Sequence, residues 1–551
     1  MNYKEAARNF VENEQQFHLG AIPTEQSNPL TRGLSAVIKK STTEGVKMLL
    51  SADERIAGVA SACFKTSEFA RMVEDIQRAI ETRHMVLLSS VGASGRLALQ
   101  LDSSWRKFWQ ELGAKLPLHA RAFVEIADCV NSIMTGGDRA CVRSVENFED
   151  YMTFGAQQVA DAGVGEGDVV LALAECGLSA SIIGSAIEAD ERACATYYLF
   201  CNPEAILCQH LERARAVFAR EKIVKLPLYV GPMAVAGSTR MQVTTIELLV
   251  AGAALELGSW AWLQKNLTAD ELCSIHTHAL TPQTYADEFE RLVKQLSTDN
   301  ALCGIADAID YEYDTYRQGG LITYCAHAYL QDVFTDTTER QPTFTLPPYR
   351  KVGDTDSPVS WAYAKDPLYP SGVAWQHVLR RPVKGLDWVR ADYLRMGAAQ
   401  TITEHPPAVG SDELSYYLIG NEDDPARYSR HPARLICVSV NRSAETDSLA
   451  WYRLMLPKFD GGIRLEMGEV TESDAVDHAI RIPIPITHTL MELPTHLMVK
   501  LVFNLLSTAT MAKMGRVWSN WMTQVLPTNK KLIDRSIRII AELARIPYET
   551  A

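Results

Sequence analysis

This chain has 11 cysteines in 551 residues but no C-x-x-C pair. Cysteines so dispersed, and odd in number, are read as reduced thiols in a cytoplasm rather than as a disulfide framework or a structural metal site. No Lys/Arg-rich block occurs, and the formal charge is −13. That balance argues against nucleic acid and anionic membranes as main partners. No G-x-x-x-x-G-K-[ST] is present, which argues against a nucleotide P-loop. The first residues, MNYKEAARNFVENEQQF, are polar and do not read as a signal peptide. The most apolar later stretch, 246–263, carries Glu247 and Glu256, so it reads as a buried helix rather than a membrane span. What remains, 47% apolar and 22% charged residues, is the balance of a soluble globular chain. Its length calls for two or three domains.

Short apolar runs alternate with helix-like segments. MVLL at 85–88, AFVEIAD at 122–128, DVVLALA at 168–174, CATYYLF at 194–200 and KLPLYVG at 225–231 each precede a loop and a helical pattern. Strand, loop and helix repeated in this way predict a parallel sheet covered by helices. The second half repeats the pattern at 321–327, 434–440 and 479–485, the last before a long helix from about Glu492 to Lys513. Segment 340–420, rich in Pro, Gly and Tyr, reads as irregular loops and short elements forming part of a lid or contact surface. The expected division is an N-terminal arm and helix at 1–50, a first domain at 51–268 and a second at 269–551.

In open parallel sheets a ligand sits at the carboxyl ends of the strands, where helix N-termini favour anions. Three loops there carry glycine for close backbone approach and hydroxyls for hydrogen bonds. They are Gly92 with Ser94, Gly177 with Ser179, and Gly237, Ser238, Thr239 and Arg240. Together they predict a phosphate monoester site with no metal and no cofactor. Each loop alone also fits an ordinary strand-to-helix turn.

The motifs TEQSNP at 24–29, GASGR at 92–96, GGDRA and SVENFED within 136–150, CNP at 201–203, GSTRM at 237–241, KLVFNLLSTATMAKMGRVWSN from 500 and TNKKL at 528–532 resemble one family. It is the sugar isomerase (SIS) domain group of the N-acetylmuramic acid 6-phosphate etherases and the glucokinase regulatory protein. The resemblance implies an α/β fold of two tandem three-layer αβα sandwiches with parallel sheets, arranged as a pseudo-dimer. It also implies a pocket drawing on both halves. The etherases use two glutamates, one ten residues after the serine of SGR. Here that position holds Ser104, a residue too weakly basic to replace a carboxylate unaided. The second glutamate corresponds to Glu149. DTTERQPTF at 336–344 resembles the segment of the first, with Glu339 in the glutamate position. Lys500 corresponds to the family lysine that reaches the ligand, and its first-half counterpart is Leu248. Two departures bear on phosphate affinity. Glu175 stands where the family has a small residue, and Ala93 replaces a threonine.

These readings yield a cytoplasmic sugar-phosphate-binding protein, a sensor or regulator of carbohydrate or amino-sugar metabolism. Gly92, Ser94, Gly177, Ser179, Ser238, Thr239, Arg240 and Lys500 would hold a phosphorylated sugar or amino sugar, and a sugar kinase is a candidate protein partner. The alternatives are an etherase-type lyase with Glu149 and Glu339 as its acid–base pair and, more weakly, a phosphosugar isomerase.

Overall fold

The computed structural model describes residues 3–145, 147–441, 446–470, 478–527 and 530–551. Glu146 of SVENFED and Thr528 and Asn529 of TNKKL lie outside the described residues.

Two five-stranded sheets are entirely parallel. The first contains β1 (Val86–Ser90), β2 (Val130–Met134), β3 (Val169–Leu173), β4 (Ala195–Phe200) and β5 (Val224–Pro227), in the order β2-β1-β3-β4-β5. The second contains β6 (Leu321–Cys325), β7 (Ala362–Lys365), β8 (Ala433–Val440), β9 (Gly462–Gly468) and β10 (Ala479–Pro483), in the order β10-β9-β8-β6-β7. Taken from the other edge, the second order runs β7-β6-β8-β9-β10 and repeats the first. Central strands such as β1, β3 and β6 are buried along their whole length, with Val, Leu and Ile joined by Ser89 and Ser90 in β1 and by Thr323, Tyr324 and Cys325 in β6. Helices on both faces leave no room for alternation in such strands.

Seven helices position the sites below: α1 (Gly92–Lys115), α2 (Ala180–Glu191), α3 (Gln242–Asn266), α4 (Leu330–Phe344), α5 (Ser371–Leu379), α6 (Leu493–Lys513) and α7 (Lys530–Ala544). The long apolar helices α3 and α6 pack against each other. Helix α3 is long and apolar enough to cross a membrane, but 83% of its most apolar window is buried in the core.

The structure corrects several expectations. The run at 122–128 is not a strand but part of the helix Ala120–Ala127, and β2 follows it. Phe123, Ile126 and Ala127 are its buried residues, a spacing of three and four that suits a helix. The Trp105 indole N–H donates to the Ile126 carbonyl and fixes it against α1. β2 alternates buried and half-buried residues, as an edge strand does. Strand β7 lies within the segment read as irregular, and β9 was not foreseen. Residues 237–240, which the loop pattern suggested would open a helix, lie just before α3, which begins at Gln242. Within the N-terminal stretch, Thr24 and Glu25 are fully buried.

Of segment 340–420, only Gln341, Pro342, Thr343 and Thr345 line the large cavity described below. Residues 384–395 instead flank a separate cavity of about 730 Å³ beside β2. Arg381 fastens this segment to the first half, donating to Asp102 at 2.9 Å and to Asp138 of GGDRA at 2.7 Å.

Candidate functional site

A cavity of about 290 Å³ opens at the carboxyl ends of β1 and β3. Its floor is the β1–α1 turn, with Gly92, Ala93 and Arg96. Gly237, Ser238, Thr239 and Arg240 form one side, Glu149 another, and α4 contributes Glu339 from the second half. Lys531 and Arg535 of α7 close it. The cavity therefore draws on both halves of the chain.

Family-like motifs far apart in sequence build its wall. Glu25 of TEQSNP is fully buried and accepts from Arg535 at 2.8 and 2.9 Å. Burial alone would raise its pKa, but Arg535, Lys531 and Arg538 hold it down at about 2. Asn202 of CNP accepts from the Thr24 N–H at 3.1 Å and donates to the Thr24 hydroxyl at 2.8 Å. The Gly237 N–H then donates to the Thr24 carbonyl at 3.3 Å. These contacts fix the loop that presents Ser238, whose buried hydroxyl has no hydrogen-bond partner. An unpartnered buried hydroxyl lining a cavity is a group waiting for a ligand or a water.

At the β1–α1 turn, the end of α1 that would attract an anion already faces a carboxylate. Glu175, itself at φ +50, accepts the Ser94 N–H at 3.3 Å. Gly92 sits at φ +57, and a Cβ there would lie 3.1 Å from the Glu175 carboxylate oxygen. The glycine therefore provides both the turn and the space for Glu175. The Ser94 hydroxyl points away from the cavity and donates to buried Glu247, which also accepts the Glu175 N–H at 2.9 Å. Burial raises Glu175 to about 7; Lys531 opposes the shift, and Glu149 adds to it. Burial raises Glu247 to about 8. Near neutral pH both groups carry protons for much of the time, which relieves the repulsion between them.

The remaining sequence candidates divide. Glu149 and Glu339 line the same cavity. Glu339 lies buried in α4 and is ion-paired with Arg96, which also donates to Thr338 at 3.1 Å. Arg240 is largely committed to structure, donating to Asp336 at 2.9 Å, Ser507 at 2.8 Å and Thr508 at 2.7 Å. Lys500 lies deeper, beside a cavity of about 30 Å³ that it shares with Ala93, Arg240 and Glu339. Its amine donates to the Arg240 and Met241 carbonyls at 2.9 and 3.4 Å and to the Thr245 hydroxyl at 2.9 Å. Burial pulls Lys500 down to about 7. The amine therefore braces the Arg240 turn, and its nearest acceptors are neutral. Gly177 and Ser179 are not among the residues lining the large cavity. Gly177 packs under Leu207 and Phe200 instead.

Three cavity cations, Arg96, Lys531 and Arg535, were not singled out as site residues from the sequence. Burial lowers the Lys531 pKa, but Glu149 and Glu25 outweigh that and leave it raised. The signal available was basic residues four apart, Lys531 and Arg535, beside the apolar stripe of a terminal helix. The cavity thus offers cations on α7, an unpartnered hydroxyl on the adjoining 237–240 loop, whose Gly237 carbonyl accepts from Arg535 at 3.3 Å, and the carboxyl groups of Glu149, Glu175 and Glu339. That set suits a polyhydroxylated anion. Among the described residues, one group also has the donors for a metal ion: His327, Asp366 and His377, whose ligand atoms all lie within 4.8 Å of one another. Asp366 is already engaged by His327 at 3.1 Å and by the Leu368 N–H at 2.7 Å.

Comparison with known proteins agrees with the sequence resemblance. Residues 68–190 match the family model for the glucokinase regulatory protein N-terminal SIS domain. N-acetylmuramic acid 6-phosphate etherase of Salmonella agona is 28% identical over 258 residues, covering 46% of this chain and 76% of that protein. The etherase of Salmonella typhi matches over the same extent. Among solved structures, the C-terminal domain of glucosamine-fructose-6-phosphate aminotransferase from Francisella tularensis aligns at a TM-score of 0.46 and 10% identity, over 85% of this chain and 96% of that one. Tagatose-6-phosphate ketose/aldose isomerase from Escherichia coli aligns at 0.44 and 10%, over 86% and 93%.

Proposed function

We propose that this chain, which carries a SIS domain of the glucokinase regulatory protein type and resembles the etherases over nearly half its length, binds a phosphorylated sugar or amino sugar as a sensor or regulator of a partner protein. The observation that carries this reading is the cavity shared by the two halves, with Lys531 on one wall and the unpartnered Ser238 hydroxyl on another. The phosphate would meet Lys531, Ser238 and Thr239. Glu149 and Glu339 would accept hydrogen bonds from sugar hydroxyls. Glu175 occupies the amide end of α1 and would have to stay protonated or move aside, which weakens affinity for a dianion. A partner such as a sugar kinase belongs to this proposal and stands on the resemblance alone.

A regulatory role is favoured over catalysis by Ser104, which stands where the etherase resemblance calls for a carboxylate, and by the Arg96 guanidinium engaging Glu339. A thermal-shift panel of hexose and amino-sugar 6-phosphates tests the reading, since a ligand that binds only the folded chain raises the melting temperature. At least one is expected to raise it. A flat panel at millimolar concentration overturns the proposal.

One observation supports the lyase alternative: Glu149 and Glu339 line a single cavity. Incubation with N-acetylmuramic acid 6-phosphate decides between the two. Lactate released above the blank establishes the lyase, and its absence at high protein concentration removes it.

A further inference from the structure

Ser104 faces the second half of the chain rather than the cavity above. Its hydroxyl oxygen lies 3.1 Å from His496 Nε2. His496 Nδ1 lies 2.9 Å from Asp332 Oδ1, and the Gln100 amide donates to the same oxygen at 2.6 Å. The three residues come from three helices, α1, α6 and α4, brought together by these contacts. Nothing in the resemblance or in the proposed sugar site calls for this arrangement.

The geometry points to a nucleophile–base–orienter array, Ser104–His496–Asp332, that hydrolyses esters of small acyl groups. The Gln100 amide nitrogen also lies 3.2 Å from His496 Nδ1, but it donates to Asp332 at the shorter 2.6 Å; an ionised Asp332 only accepts, so at 2.9 Å it places the His496 proton on Nδ1. Nε2 is then bare and accepts the Ser104 O–H, the arrangement in which a histidine can take the serine proton. Asp332 and His496 are shielded, with side chains 2% and 12% exposed, so water competes little for these bonds.

Ser104 nevertheless borders open space on both sides. One cavity of about 100 Å³ lies between it and residues 489–492. Another of about 30 Å³ lies between it, His496 and the opening turn of α4 at Leu330 and Gln331. The larger of the two has room for an acetyl or propionyl group beside Ser104.

The chemistry closes without a cofactor. The Ser104 proton passes to His496 Nε2 as Oγ attacks the acyl carbon. The ester C–O bond breaks, and the departing alkoxide takes that proton from His496. A water then gives a proton to His496 and adds to the acyl-serine. The carboxylic acid leaves, and the proton returns to Ser104.

The test exposes the wild-type chain to a small fluorophosphonate, with a serine hydrolase run in parallel, and maps adducts by mass spectrometry. The expected result is one adduct, on Ser104, with fluoride displaced. No adduct on Ser104 while the parallel enzyme is fully labelled overturns the inference without recourse to any variant. With p-nitrophenyl acetate, Ser104→Ala and His496→Gln are expected to lose about a hundredfold or more in turnover. Asp332→Asn would present an N–H to the ring, and it should lower kcat with KM unchanged. Unaltered turnover in folded Ser104→Ala also overturns the inference. Sugar-phosphate binding is expected to persist in Ser104→Ala, so the two proposals fail separately.

Discussion

The two sheets share one strand order, yet their first strand-to-helix turns differ. β1 ends at Ser90 and α1 begins at Gly92, so the helix amides start almost at the end of the strand. β6 ends at Cys325 and α4 begins only at Leu330, after Ala326, His327, Ala328 and Tyr329. The glycine turn leaves a cavity of about 290 Å³. In the second turn, the His327 ring stacks on His377 with centroids 4.3 Å apart, and only about 30 Å³ remains. A shared backbone topology thus sets where a ligand can lie, and the turn residues decide whether space is left for it. Where the first turn leaves a cavity, the second is filled by stacked imidazoles.

The comparison breaks most visibly in stability. Glu25→Ala leaves Arg535 and Arg538 buried without their shared carboxylate, and is expected to cost about 3–5 kcal/mol in urea unfolding. His327→Ala in the β6–α4 turn removes a ring paired with an aspartate that keeps its backbone hydrogen bonds, and is expected to cost about 1–2 kcal/mol. Equal losses would contradict the view that the wall of the first cavity, and not the second turn, rests on a concentration of buried charge.

Binding sharpens the contrast next. Lys531→Ala is expected to weaken hexose 6-phosphate binding by about tenfold or more, since a charge-assisted contact is worth roughly 1.5–3 kcal/mol. Calorimetric titration checks it. Glu175→Ser should act in the opposite direction and strengthen binding by about tenfold, because the carboxylate at the mouth of α1 is gone. A weaker complex in Glu175→Ser would mean that Glu175 holds the ligand rather than excluding it.

The smallest effect is on pH dependence. Glu175 and Glu247 have folded-state pKa values raised by burial to about 7 and about 8. The folded chain keeps these protons where the unfolded chain has lost them. Their contribution to stability is therefore complete below the ordinary carboxylate range and declines as pH rises toward 8. Lys500, pulled down to about 7, slopes the other way above that pH. The informative quantity is the difference between variants: Glu247→Gln should melt with a shallower decline between pH 5 and 8 than the wild type. Parallel curves would contradict the assignment.

Much of the fold was legible because buried parallel strands are short apolar runs that follow glycine-bearing turns, as at 168–174 after Gly165 and Gly167 and at 321–327 after Gly319 and Gly320. β2 was misplaced because the run before it, Phe123 to Ala127, is equally apolar and buries one helix face. β7 escaped because four residues, Ala362–Lys365, carry too little pattern among prolines and tyrosines. In the site, Glu149, Glu339, Ser238 and Thr239 reach the cavity as the motifs suggested. Lys500 lines only the smaller neighbouring cavity, because its helix buries the amine against the Arg240 turn. Ser94 turns inward because Glu247, 153 positions on, offers it a partner, and spacing along one loop carries no trace of that. Lys531 and Arg535 were hidden for the same reason: only the folded chain brings the terminal helix to Glu25.

The most direct measurement is a calorimetric titration of the wild-type chain and His327→Ala with a hexose 6-phosphate. The account predicts one site per chain in both proteins, since the ligand occupies the glycine turn and not the histidine turn. No heat of binding, two equivalent sites, or a single site that vanishes in His327→Ala would contradict it.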